Sequence, residues 1–275
     1  SAGSSEEFGD VDFCPQTMAH PVKPRSPYGA SKAAARHIIK VYRESYGLYA
    51  VHGILFNHEG TKRGEEFVTR KISKGVAKIY NQIYNVNNSR YGHQYKYETI
   101  ELGNVYSKRD WSDSEDFVKG VWLMLNQESG PRKNEFNKAF NETLEMYKNH
   151  CAIGSSDLDD IEREAHVPLL REYILASGET HSIREFVELA FKAAGINGYW
   201  QGEGEQEKYI YLDNPHGHNL VVINKKFYRP AEVNLLLGDC TPIKVELGWE
   251  PEISFDKLVQ KMVDYDISDY HAQED

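Results

Sequence analysis

"SPYGASKAAARHIIKVYRESYGLYAVHGILFN", residues 26–57, decides the fold class. Ser26 followed by Pro27 is a helix start, a side-chain cap with proline at the first helical position. Gly47 is a stop, because glycine takes the left-handed conformation without a Cβ penalty. "YAVHGILFN" (49–57) then turns β-branched and apolar, which suits a parallel strand buried on both faces. Within the helix, Tyr28 and Lys32 stand four residues apart and share a face. An ammonium beside a phenol favours phenolate, and such a tyrosine can take a proton from a hydroxyl as hydride leaves the same carbon. Eighteen tyrosines also make this spacing by chance, so the pair alone does not separate a proton relay from a surface aromatic beside a lysine.

Working outward, the pattern repeats. Upstream, "AGSSEEFG" (2–9) puts small hydroxyls and a glutamate about twenty residues before the tyrosine. In an α/β sheet, residues just past a strand's carboxyl end face the ligand crevice. Ser4 there can hydrogen-bond a substrate oxygen, and Glu6 can move a proton at carbon. A solvated acidic stretch is the plainer reading of the same residues. Downstream, residues 58–66 read as a polar loop, and "FVTRKISKGVAKIYNQIY" reads as a helix. A strand is expected over 97–104, a capped helix over 112–127, and another strand in "LREYILASGE". Ser182 and Glu185 form the Ser-x-x-Glu capping box of a further helix. "KYIYLD" and "NLVVIN" are strand material, and short helices close the sequence before Gly248 and after Ser254. Between about 128 and 170 the pattern loosens into polar, acidic sequence around one helix near 135–149, which reads as an insertion.

The 275 residues suffice for one large or two modest domains. A net charge of −10 argues against a nucleic-acid partner, although local arginines can still bind a phosphate. No apolar run reaches the ~18 residues of a membrane span. Cys14, Cys151 and Cys240 are few and scattered, which argues against a disulfide framework or a zinc knot and for a reducing, cytoplasmic setting. "GEGEQEK" (202–208) lacks the third glycine of a dinucleotide loop and is acidic, so it is not read as one. His216 and His218 have no neighbouring ligand cluster, so no metal site is expected.

Several stretches together carry a resemblance: "SSEE" (4–7), "SPYGASK" (26–32), "NHEGTKRGEEFVTRKI" (57–72), "ELGNVYSKRDW" (101–111) and "FYRPAEVNLLLGDCTPIKVELGWEPEISF" (227–255). They resemble GDP-mannose 4,6-dehydratase, a family of extended short-chain dehydrogenases/reductases. The resemblance covers nearly all of the sequence outside 128–170. It implies a lyase that uses NADP to convert GDP-mannose to GDP-4-keto-6-deoxymannose, on the route to GDP-fucose. Tyr28 then matches the base at O4, and Lys32 the lysine that holds the nicotinamide ribose. Glu6 matches the acid/base at C5, and Ser4 stands where the family has threonine, keeping the hydroxyl without the methyl that fixes its rotamer. His58 and Arg63 match cofactor contacts. Lys62 stands where the pattern has a second basic residue, without an arginine's flat fork. Asn57, Lys71, Arg109, Arg229 and Glu232 fall where GDP-sugar contacts are expected. A homo-oligomer is also implied.

The resemblance also implies a fold class: the carboxyl-terminal part of a Rossmann-type doubly wound parallel sheet, plus a smaller α/β substrate-binding domain. Residues 1–57 would hold the remainder of the NADP-binding domain. Residues 58–275 would be mainly substrate-binding, with 97–127 returning to the first domain. A strand, glycine-rich turn and helix for the pyrophosphate have no counterpart before Tyr28, so the sequence reads as a fragment of a longer enzyme. Two other readings stay open: a related nucleotide-sugar epimerase or reductase, and a non-catalytic sugar-nucleotide-binding remnant. Epimerisation at C4 needs no acid at C5, so Glu6 favours the dehydratase.

Overall fold

Gly53–Leu55 runs parallel to Tyr173–Leu175, with Gly53 opposite Tyr173 and Leu55 opposite Leu175. Ala2 joins the other side of Gly53 through a parallel bridge. Ile54, Phe56 and the run Tyr173 to Ala176 are all buried, as expected of a parallel sheet covered on both faces. The computed structural model describes residues 1–84, 97–150, 157–166, 169–214, 219–228 and 236–274. They divide into two compact units, the first comprising Ser1–His58, Ser114–Glu179 and Leu236–Glu252.

The first unit holds the Tyr28 helix, Pro27–Tyr46. The Ser26 side chain accepts from the Gly29 amide at 3.0 Å, and Gly47 closes the helix at φ 61°. The helix Ser114–Leu125 packs on the parallel strands through Gly120, where a Cβ would come within 2.5 Å of Leu175. Trp249 Nε1 donates to the Asp116 carbonyl at 2.8 Å and fixes the same helix to the segment after Thr241–Leu247.

Residues 128–170 are expected to hold one helix; their described residues hold two. Lys133–His150 packs against Asp157–His166. The second was hidden by its acidic composition; its apolar stripe is short, with Ile161 and Ala165 buried and Leu158 exposed. Arg132 anchors the start of the pair. Its guanidinium donates to Gln127 Oε1 at 2.6 Å, Glu135 Oε2 at 2.8 Å and the Leu169 carbonyl at 2.8 Å. Removing it orphans buried acceptors. Arg132→Ala is expected to cost about 2–4 kcal/mol, read as a lower urea-unfolding midpoint.

The second unit comprises Glu59–Asp113, Thr180–Leu235 and Ile253–Asp275. Its sheet runs in the order Ile100–Leu102, Val221–Ile223, Lys208–Tyr211, Gly198–Gln201. The first pair is parallel and the other two are antiparallel. The Gly198–Gln201 strand carries too little pattern to be read in advance. "GEGEQEK" links it to Lys208–Tyr211 as a hairpin connection, using Gly202 at φ 89° and Gly204 at φ 56°. The helices Val68–Tyr84, Ile183–Ala193 and Phe255–Glu274 pack on one another around a core that includes Ile72, Val76, Phe186 and Leu258. Arg70 and Asp266, both buried, pair at 2.8 Å between the first and last of these helices. The Ser182 capping box forms as its sequence requires. Among the described residues, no helix is long and apolar enough to cross a membrane. His216 and His218 lie outside the described residues.

Candidate active site

The stretch that reads plainly as a solvated acidic run is not solvated. Ser4, Ser5 and Glu7 are buried, and only Glu6 of the central four is half-buried. Ser5–Glu7 forms a single 3-10 turn shortly after the Ala2 bridge. Ser4 caps it. Its Oγ accepts from the Glu6 amide at 3.3 Å, and its own amide donates to Glu7 Oε1 at 2.9 Å. An accepting hydroxyl keeps its proton available, so Ser4 can still donate to a ligand oxygen.

The Tyr28 helix starts against this turn. Ser26 Oγ lies 3.5 Å from Glu6 Oε2. Gly29 sits so close that a Cβ there would come within 2.5 Å of the Glu6 carbonyl oxygen. Lys32 Nζ donates to the Ala2 carbonyl at 2.9 Å and lies 5.6 Å from the centroid of the Tyr28 ring. Tyr28 itself is 54% exposed, so its phenol is open to a solute. Ser4, Glu6, Tyr28 and Lys32 are thus brought together within the first unit. The sequence reading gives Ser26 only a helix-start role and assigns none to Gly29. A glycine at the third helical position, where it costs helix stability, was the available signal for the close approach.

Asn57 and His58 also belong to the first unit. Asn57 Oδ1 is buried with no partner among the described residues, an acceptor able to take a donor. His58 Nδ1 donates to the Phe56 carbonyl at 2.9 Å, and the ring stacks on Phe117 with centroids 5.1 Å apart.

Three candidates lie in the second unit. Arg63 is engaged inside its own loop, with Nε 3.2 Å from Glu59 Oε2 and the guanidinium 3.5 Å over the Phe67 ring. Burial pushes the Glu59 carboxyl above its ordinary range, opposed by Arg63 and by the Thr69 hydroxyl that donates to it at 2.6 Å. Lys71 Nζ donates to the Glu101 carbonyl at 2.6 Å and lies 3.6 Å over the Phe227 ring. Burial pulls its ammonium below the usual lysine range, with Glu101 opposing and Lys226 adding. Arg109 stands on the two-residue ladder opposite His181, its Nη1 donating to the Lys108 carbonyl at 2.8 Å. Arg229 and Glu232 lie outside the described residues.

The family model for GDP-mannose 4,6 dehydratase matches residues 1–166 and 165–262. The chain belongs to the GDP-mannose 4,6-dehydratase family. Human GDP-mannose 4,6 dehydratase is 38% identical over 267 residues, covering 97% of this chain and 57% of the human protein. The Drosophila melanogaster enzyme is 38% identical over 266 residues, 97% of this chain and 53% of its own length. The chain therefore spans a little over half of these relatives. Among solved structures, RMD from Pseudomonas aeruginosa complexed with NADPH superposes with a TM-score of 0.66 at 18% identity, over 98% of this chain and 66% of that one. dTDP-glucose 4,6-dehydratase from Bacillus anthracis in complex with NAD gives 0.59 at 16% identity, over 99% and 61%. These likenesses carry the fold, a Rossmann-type α/β architecture.

Proposed function

We propose that this chain carries the catalytic residues of an enzyme that converts GDP-mannose to GDP-4-keto-6-deoxymannose. The observation that carries the reading is the docking of the Ser4–Glu7 turn onto the start of the Tyr28 helix, which sets a carboxylate beside a tyrosine–lysine pair. A nicotinamide cofactor fits the lysine: its ammonium has three donors, of which the Ala2 carbonyl takes one, leaving capacity for ribose hydroxyls. NADP held there would supply the hydride acceptor for oxidation at C4 and the hydride donor for reduction at C6.

The chain's own residues move the protons. Tyr28 as phenolate takes the proton of the 4-hydroxyl as the C4 carbonyl forms, and Lys32 stabilises the phenolate. Ser4 donates a hydrogen bond to that oxygen and holds the hexose in place. The 4-keto group acidifies C5–H, which Glu6 removes. Glu6 then delivers a proton to the departing 6-hydroxyl, which leaves as water. C5 is reprotonated from solvent, and Tyr28 returns to solvent the proton it took from the 4-hydroxyl, so the net loss is one water. Asn57, Lys71, Arg109, Arg229 and Glu232 are assigned to the GDP-sugar, and His58 and Arg63 to NADP. A homo-oligomer is part of the same reading, supported by Ile38, Val41, Tyr42 and Tyr46 lying exposed on the Tyr28 helix.

The test compares GDP-mannose, UDP-glucose and dTDP-glucose as substrates with NADP present. A separate polypeptide supplies the part of the human relative that this chain does not match. Only GDP-mannose is expected to give a 4-keto-6-deoxy product. A C4 epimer as product would favour the epimerase reading, and GDP-mannose binding without NADP binding would favour a non-catalytic one.

A further inference from the structure

Directly behind the Ser4–Glu6 turn lies a buried acid–base pair that the chemistry above does not use. Glu7 and His52 are both 0% exposed, and His52 Nε2 lies 3.1 Å from Glu7 Oε1. The same carboxylate oxygen accepts the Ser4 amide at 2.9 Å. Glu7 Oε2 and His52 Nδ1 are buried without a partner among the described residues. The backbone is shaped around the pair. A Cβ on Gly3 would come within 2.2 Å of His52 Nε2 and 2.5 Å of Glu7 Oε1.

Such a pair is expensive. A lone carboxylate here would be an uncompensated charge out of water, and the His52 ring is the polar partner that faces it. An apolar plug would fill the same space without that cost. What the carboxylate adds is a fixed acceptor for one backbone donor, the amide of Ser4. That amide sets the turn whose next residues present the Ser4 hydroxyl and the Glu6 carboxylate.

We infer that Glu7 and His52 are positioning residues: His52 orients Glu7, and Glu7 holds the Ser4 amide so that Ser4 and Glu6 meet the hexose in reacting geometry. This inference rests on the dehydratase reading for its kinetic part, and on the structure alone for its geometric part.

Two measurements separate these parts. The first is hydrogen exchange of the Ser4 amide by NMR in the chain without ligands. Slow exchange is expected in the unmodified chain and in Glu7→Gln, which keeps an acceptor oxygen. Exchange accelerated by about tenfold or more is expected in Glu7→Leu and in the double variant Glu7→Leu/His52→Leu, where the acceptor is gone. The double variant also removes the unpaired histidine that could unfold the single one. The second measurement is turnover of GDP-mannose with NADP and the same complementing polypeptide. In both leucine variants kcat is expected to fall by about tenfold to a hundredfold with KM little changed, and Glu7→Gln is expected to recover most of the loss. A purely structural role predicts that kcat returns when the double variant regains its Tm. That result, or equal Ser4 exchange in all variants, would overturn the inference. Exchange as expected with no turnover even in the unmodified protein would instead refute the dehydratase reading and leave the geometric part standing.

Discussion

Tyr28→Phe is expected to lower turnover of GDP-mannose by about 10²- to 10⁴-fold, the range of a lost general base, while GDP-mannose affinity changes by less than about threefold. In free energy this is about 3–5 kcal/mol of transition-state stabilisation. The substitution removes one oxygen from a ring that is 54% exposed, so little packing is lost. Lys32 keeps its bond to the Ala2 carbonyl, and the turn stays docked through Ser26 and Gly29. What disappears is the atom that accepts the proton of the 4-hydroxyl. Steady-state kinetics with isothermal calorimetry separates the two effects. A variant that keeps its rate would show that the tyrosine is not the base.

Glu6→Gln is expected to reduce product formation by a similar factor, about 10²- to 10⁴-fold, at a later step. Glutamine keeps the size of the side chain and can still reach the Ser26 hydroxyl, but it cannot carry a proton from C5 to the leaving hydroxyl. Oxidation at C4 depends on Tyr28 and should continue. Borohydride trapping should therefore recover sugar oxidised at C4 that still bears its 6-hydroxyl. In deuterated water the unmodified enzyme should place deuterium at C5 of the product, and the variant should place none. Water loss at an undiminished rate in the variant would remove Glu6 from the mechanism.

Much of this was legible in the sequence because local rules and tertiary structure agree there. Ser26, Pro27 and Gly47 bound the helix that forms, and Ser182 with Glu185 caps another, since each cap satisfies its own backbone. The spacing of Tyr28 and Lys32 settled their shared face. It did not settle their setting, which depends on Gly29 letting the helix touch the Glu6 carbonyl. Other features were illegible for a common reason. The single apolar run 49–57 is broken in the structure into Gly53–Leu55 and Asn57–Glu59. The Asp157–His166 helix hides its short apolar stripe among acids. Glu7 looked like one more exposed carboxylate, because nothing in sequence joins it to His52 forty-five residues away. Long-range polar pairs leave no periodicity to read.

The most direct test of the account follows one hydrogen atom. GDP-mannose carrying deuterium at C4 is incubated with this chain, NADP and the complementing polypeptide, and the product is examined by NMR. If Tyr28, Lys32 and Glu6 act as described, the product is the 4-keto-6-deoxy sugar nucleotide with the deuterium at C6. Recovery of the label at C4 of an epimerised sugar, or a deoxy product with the label lost to water, would contradict the account.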